Sequence, residues 1–150
     1  MAIEPSLSSK YSTALVTGAA AGIGRAVSEK LVEQGIGVVC VDRDTDTLTR
    51  LGKDLGALAY PVTMDLDDSE SVQQGLQSLP KDRCEVDILV NNAGHAIGGQ
   101  RSFEKGSLFD WERIIETNVR GMLRVTHALL PGMVERDRGH IINLGSTASL

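Results

Sequence analysis

Thr13-Ala14-Leu15-Val16-Thr17-Gly18-Ala19-Ala20-Ala21-Gly22-Ile23-Gly24 is the stretch on which the fold turns. Residues 13–17 are apolar or β-branched without alternation, the pattern of a strand buried on both faces. Glycines then crowd the chain at 18, 22 and 24. From Ile23 to Gln34 the residues Ile23, Ala26, Val27 and Leu31 share one face of a helix, and Gly35 stands where a helix-ending glycine would. Gly18 permits a tight turn, and Gly22 and Gly24 let a ligand and the sheet approach the helix start closely. Backbone N–H groups and the positive end of the helix dipole there suit an anion such as a pyrophosphate. An ordinary tight turn is the simpler alternative. The strand–loop–helix setting favours the anion-binding reading.

Outward from this unit the alternation continues. Ile36 to Val41 is a second β-branched run ending at Asp42, Thr45 to Leu55 a helix, and Ala57 to Val62 a third strand. Asp67 to Leu79 reads as a helix, Asp87 to Val90 as a fourth strand and His140 to Leu144 as a fifth. Between the last two, Ser107 to Glu135 reads as one long helix, with a single stripe through Trp111, Ile114, Ile115, Val119, Met122, Val125, Leu129 and Met133. Pro131 predicts a kink or late stop in it. Strands joined by helices require right-handed crossovers and a parallel sheet covered on both faces. The expectation is a doubly wound α/β sheet of order 3-2-1-4-5, with ligands at the carboxyl ends of its first and fourth strands. Residues 1–12 read as a flexible polar leader, and residues 13–150 as a dinucleotide-binding domain.

Asp42 lies 18 residues beyond Gly24. A carboxylate at about that distance accepts hydrogen bonds from an adenosine ribose and repels a 2′-phosphate. Arg43 beside it would attract that phosphate. Ala21 occupies a place where a basic residue would favour it too. NAD is therefore the expected cofactor and NADP the alternative.

Composition narrows the remaining classes. The chain has 150 residues, 15 Lys+Arg against 20 Asp+Glu, and a net charge of −5. That balance, with 3% aromatics, gives no footprint for nucleic acid. The apolar runs are far shorter than the ~20 residues a membrane helix needs, and Met1 to Lys10 lacks the pattern of a signal peptide, so a cytoplasmic protein is expected. Cys40 and Cys84 are not at metal-ligand spacing and read as reduced, structural thiols.

Taken in order, Thr17-Gly-x-x-x-Gly-Ile-Gly24, Asp65-Leu66, Asn91-Asn92-Ala93-Gly94, Asn118 and Asn143-Leu144-Gly145-Ser146 resemble the short-chain dehydrogenase/reductase family, over Thr13 to Leu150. The stretches around Ser78-Leu79-Pro80, Asp87 to Gly94 and Leu130 to Ala148 resemble its serine / 3-hydroxy acid dehydrogenase branch. That branch is mostly of NADP users, from which Asp42 departs. The resemblance implies an NAD(P)-dependent oxidoreductase passing hydride between nicotinamide and a secondary alcohol or carbonyl, with a 3-hydroxy acid as the suggested class. It implies cofactor contacts from Gly18, Ala20, Ala21, Gly22, Ile23 and Gly24, from Asp42 and Arg43, from Asp65 and Leu66 beside the adenine, and from Asn92, Ala93 and Gly94. It implies that Ser146 binds the reacting oxygen and that Asn118 helps hold a water in a proton relay. It also implies a homo-oligomer, a dimer or tetramer, paired through helices like the long one here.

The family's general acid/base is a Tyr with a Lys four residues on. This chain has only Tyr11 and Tyr60, followed at that spacing by Leu15 and Met64. The expectation is a domain incomplete at its C-terminus, inactive by itself. A catalytically silent dinucleotide-binding protein is the alternative. His95 reads most simply as a solvated loop histidine, with substrate contact the other reading. His127 and His140 read as structural, and Arg101 as a solvated residue that could meet a carboxylate.

Overall fold

A computed structural model of the chain describes residues 7–96 and 103–146. Five parallel strands form one sheet in the order β3-β2-β1-β4-β5. They are β1 (Thr13–Thr17), β2 (Gly37–Asp42), β3 (Ala59–Thr63), β4 (Ile88–Asn91) and β5 (His140–Asn143). The helices are α1 (Leu7–Lys10), α2 (Gly22–Glu33), α3 (Thr45–Leu55), α4 (Ser69–Gln77), α5 (Leu108–Ile115) and α6 (Met122–Glu135). The expected doubly wound topology is the one found.

Period-2 alternation along buried strands sorts the core into two layers. Leu15, Val39, Val41 and Leu89 pack with Val72, Val125 and Met133 on the α4–α6 side. Ala14, Val16, Val38, Cys40, Ile88 and Val90 pack with Ile36, Leu48 and Leu51 on the α2–α3 side. Two helices start on carboxylate caps. Asp44 accepts from the Thr47 N–H at 3.0 Å, and Asp68 from the Glu70 N–H at 2.9 Å. The α2 helix starts at Ala21 without a side-chain cap, which leaves its first N–H groups to the cleft described below.

Two expectations change. The long helix is not uniform, because Glu116–Gly121 winds as a π-helix between α5 and α6. An extra residue in the turn rotates everything downstream by roughly 100°, so a stripe counted at constant period cannot stay on one face. Val125 and Met133 are in the core, whereas Ile115 and Val119 are exposed together with Leu123 and Leu130. Gly121 admits this packing, since a Cβ there would come within 2.8 Å of the Leu66 Cβ. Pro131 lies inside α6 without ending it. It and His127, whose carbonyl loses its helical donor, are both exposed, where water can replace the missing bond.

The stretch expected as a leader contains α1 and an anchor. Ser12 donates its N–H and its hydroxyl to Asp87 Oδ2 at 2.8 and 3.0 Å, and Arg138 Nε donates to Oδ1 at 2.9 Å. Asp87 is fully buried. Burial alone would raise its pKa, but the Ser12 and Arg138 hydrogen bonds outweigh that and hold it below the ordinary carboxylate value. No described helix is long and apolar enough to cross a membrane.

Candidate functional site

At the carboxyl ends of β1 and β4 lies a cleft of about 400 Å³, where the sheet order changes direction. The turn from β1 into α2 forms its floor. Gly18 has φ 67° and Gly22 has φ 53°, left-handed values that disfavour side chains. A Cβ on Gly24 would sit 2.1 Å from the Gly18 carbonyl oxygen, whereas one on Gly22 would meet nothing within 4 Å. Gly24 is thus a packing requirement. Gly22 opens onto free space beside uncapped helix N–H groups, which fits the close approach of a pyrophosphate.

A polar brace ties this turn to β4. The Thr17 hydroxyl accepts from the N–H groups of Asn92 and Ala93 at 3.1 and 3.0 Å. The Asn92 amide donates to the carbonyls of Thr17 and Gly18 at 2.9 and 3.1 Å. Asn92 therefore supports the glycine turn as well as lining the cleft.

Asp42 ends β2 at the cleft wall, and both its oxygens are held. Oδ2 accepts from the Ala20 N–H at 3.0 Å, and Oδ1 from the Asp44 N–H at 3.1 Å. The carboxylate is fixed between the glycine turn and the start of α3, with its remaining lone pairs available to a ligand. Arg43 lines the same wall and is exposed.

Beyond β3, Asp65 Oδ1 accepts from the Asp67 N–H at 3.0 Å, and Arg124 donates to the Leu66 carbonyl at 2.8 Å. The Thr117 hydroxyl donates to Asp67 Oδ1, joining this loop to the π-helical turn. Glu116 is held below the ordinary carboxylate value, chiefly by its hydrogen bond from Arg124.

Asn118 lies on the π-helical segment. Its Oδ1 accepts from the His95 N–H at 2.9 Å and its Nδ2 donates to the His95 carbonyl at 3.0 Å. The side-chain amide thus grips the chain leaving β4. Ser146 follows β5, three residues beyond Asn143, which pairs with Asn91 of β4.

The cleft gathers Gly18, Ala21, Gly22, Ile23, Asp42, Arg43, Asp65, Leu66, Asn92, Ala93 and Gly94 from the expected set. Ala20 and Gly24 are buried and serve it from outside the lining. Asn118 and Ser146 are also outside the lining. Sequence reasoning missed Asp67 and Thr117, which line the cleft, and left His95, which also lines it, as a loop residue. Their signal was only position: Asp67 follows Asp65-Leu66, and Thr117 precedes Asn118. Arg101 lies outside the described residues.

A strand-end glycine turn, a fixed carboxylate at the end of the next strand and a cleft at the switch point define a dinucleotide-binding α/β domain. The family model for short chain dehydrogenases matches residues 12–150, and the chain belongs to that family. It is 45% identical over 134 residues to the NADP-dependent 3-hydroxy acid dehydrogenase YdfG of Escherichia coli strain K12, covering 89% of this chain and 54% of that protein. It is 39% identical over 137 residues to the serine 3-dehydrogenase of Rhizobium radiobacter, covering 91% and 54%. The closed form of a serine dehydrogenase complexed with NADP+ superimposes with a TM-score of 0.88 at 44% identity, covering 91% of this chain and 55% of that one. The chain spans about half the length of the curated relatives it matches.

Proposed function

We propose that this chain is the cofactor-binding part of an NAD-dependent oxidoreductase that interconverts a secondary alcohol, a 3-hydroxy acid in the first instance, and its carbonyl compound. The observation that carries the reading is the fixed Asp42 carboxylate beside the glycine turn. A ribose 2′-hydroxyl can donate to it, and a 2′-phosphate would be repelled. Of the relatives named above, YdfG is described as NADP-dependent and the closed serine dehydrogenase structure holds NADP+. Together with Arg43 on the cleft wall, they support NADP as the second reading.

In either case the chain's residues would divide the work. Gly22 and the start of α2 would receive the pyrophosphate, and Asp65 and Leu66 would flank the adenine. Asn92, Ala93 and Gly94 would let the dinucleotide lie close to β4. A bound nicotinamide supplies a hydride donor or acceptor, which the protein positions. Ser146 would hydrogen-bond the reacting oxygen. Asn118 would keep the β4 exit rigid beside it. The Tyr–Lys pair expected of the family is absent from these 150 residues, so they are expected to give no turnover by themselves; general acid–base catalysis contributes about 10²–10⁴-fold.

The test follows NADH absorbance while the protein with its natural C-terminus is offered a panel of 3-hydroxy acids. NAD-linked oxidation that falls at least about a hundredfold in Ser146→Ala supports the reading. Nucleotide binding without turnover of any alcohol would instead support the silent binding protein.

A further inference from the structure

The strand order divides the cleft by charge. Asp42, Asp65, Asp67 and Arg43 all come from the ends of β2 and β3. β4 lies beyond β1 from them, and neighbouring strands are about 4.8 Å apart. On the β4 side, His95 is the one lining residue among those described whose side chain can carry positive charge. β4 and β5 run in register, Asn91 opposite Asn143, so the chain carrying His95 and the chain carrying Ser146 leave the sheet at the same end of adjacent strands. His95 is half-buried, and Asn118 holds its backbone through both N–H and carbonyl. Gly94 lets the helix come this close, since a Cβ there would lie 3.1 Å from Asn118 Oδ1.

We propose that His95 is a specificity-determining residue whose imidazole receives the carboxylate of a hydroxy-acid substrate at the β4–β5 end of the cleft. The proposal rests on the functional reading above and names the substrate group and its receptor. A carboxylate near Asp42, Asp65 and Asp67 would be repelled. At His95 it gains an imidazole N–H donor. The clamped backbone means that little ordering remains to be done on binding. A carboxylate at His95 would leave the substrate's hydroxyl-bearing carbon to the Ser146 side.

Two measurements on the protein with its natural C-terminus test this. In the first, KM is compared for 3-hydroxybutyrate and for butan-2-ol, with the NAD dissociation constant as a check on folding. His95→Leu is expected to raise the KM of the acid about tenfold more than that of the neutral alcohol. His95→Gln, which keeps an N–H donor, is expected to restore part of the difference. In the second, imidazole resonances are followed by NMR as NAD and then 3-hydroxybutyrate are added. The His95 ring is expected to respond to the acid while His127 and His140 do not. Equal losses on both substrates in His95→Leu overturn the proposal. So does an acid-selective loss in Arg101→Gln but not in His95→Leu, or a His95 ring that responds to NAD alone. Failure of the wild-type protein to bind either dinucleotide would show before any acid is added. That result would overturn the functional reading itself, and this proposal with it.

Discussion

Replacing Gly24 by alanine would place a Cβ 2.1 Å from the Gly18 carbonyl oxygen and 2.5 Å from the Asn92 amide nitrogen, inside the 3.0 Å that side chains respect. The nearest obstacle is backbone and cannot swing aside. The start of α2 must back away from β1 by about 1 Å, and the Asn92 bond to the Gly18 carbonyl is put at risk. Overpacking costs about 1–3 kcal/mol and the lost hydrogen bond about 1 kcal/mol. Alanine's helix propensity returns at most about 1 kcal/mol. The expected net loss is about 1–3 kcal/mol of unfolding free energy, read from urea denaturation. Gly22→Ala is the matched control. It meets nothing within 4 Å and costs only its left-handed backbone, about 1–2 kcal/mol, yet it puts a methyl group on the cleft wall. It should weaken dinucleotide binding by at least about tenfold in calorimetric titration, whatever its effect on stability. Gly24→Ala with wild-type stability, or Gly22→Ala with wild-type affinity, would refute the division of labour between the two glycines.

The two thiols should separate. Burial pushes Cys40 up to about 11, whereas Cys84 is exposed, so a thiol reagent at pH 8 should label one cysteine in the native protein and both in denaturant. Asp87 has its folded pKa depressed, so its contribution is present above the unfolded value of about 3.9 and is lost as pH falls through the folded one. Asp87→Asn should cost about 2–3 kcal/mol at pH 7, less than for a fully buried pair because Arg138 is half exposed, and the deficit should shrink on acidification in denaturation curves. The exposed apolar residues Ile115, Val119, Leu123 and Leu130 lead to the expectation of a homo-oligomer in light scattering of the protein with its natural C-terminus. Leu123→Glu should shift it toward monomer, and a wild-type monomer at micromolar concentration would count against the expectation.

The sheet was legible in the sequence because short, β-branched apolar runs such as Val38 to Val41, bounded by Gly37 and Asp42, mark strands buried on both faces, and because Gly18, Gly22 and Gly24 mark a turn by chemistry local to the chain. Asp42 was legible for the same reason: its place depends on one crossover. The π-helical turn was not. Thr117, Asn118, Val119 and Gly121 are weak helix formers, but low propensity does not locate an extra residue, which packs against Leu66 and Asp67 about 50 positions away in sequence. The anchor at Asp87 joins Ser12 and Arg138 across 75 and 51 positions, a meeting that periodicity cannot foresee. Asn118 could be singled out as a polar residue in mid-helix, but its partner, the His95 backbone, emerged only from the packing of the helix against the β4 exit.

Asp42, held by the Ala20 and Asp44 N–H groups, is expected to set the choice between NAD and NADP. The measurement that reaches it most directly is a pair of dissociation constants, for NADH and for NADPH, on one preparation of the protein. NADH is expected to bind at least about tenfold more tightly, a difference of about 1.4 kcal/mol. NADPH binding as tightly as NADH, or more so, would contradict it and assign the choice to Arg43.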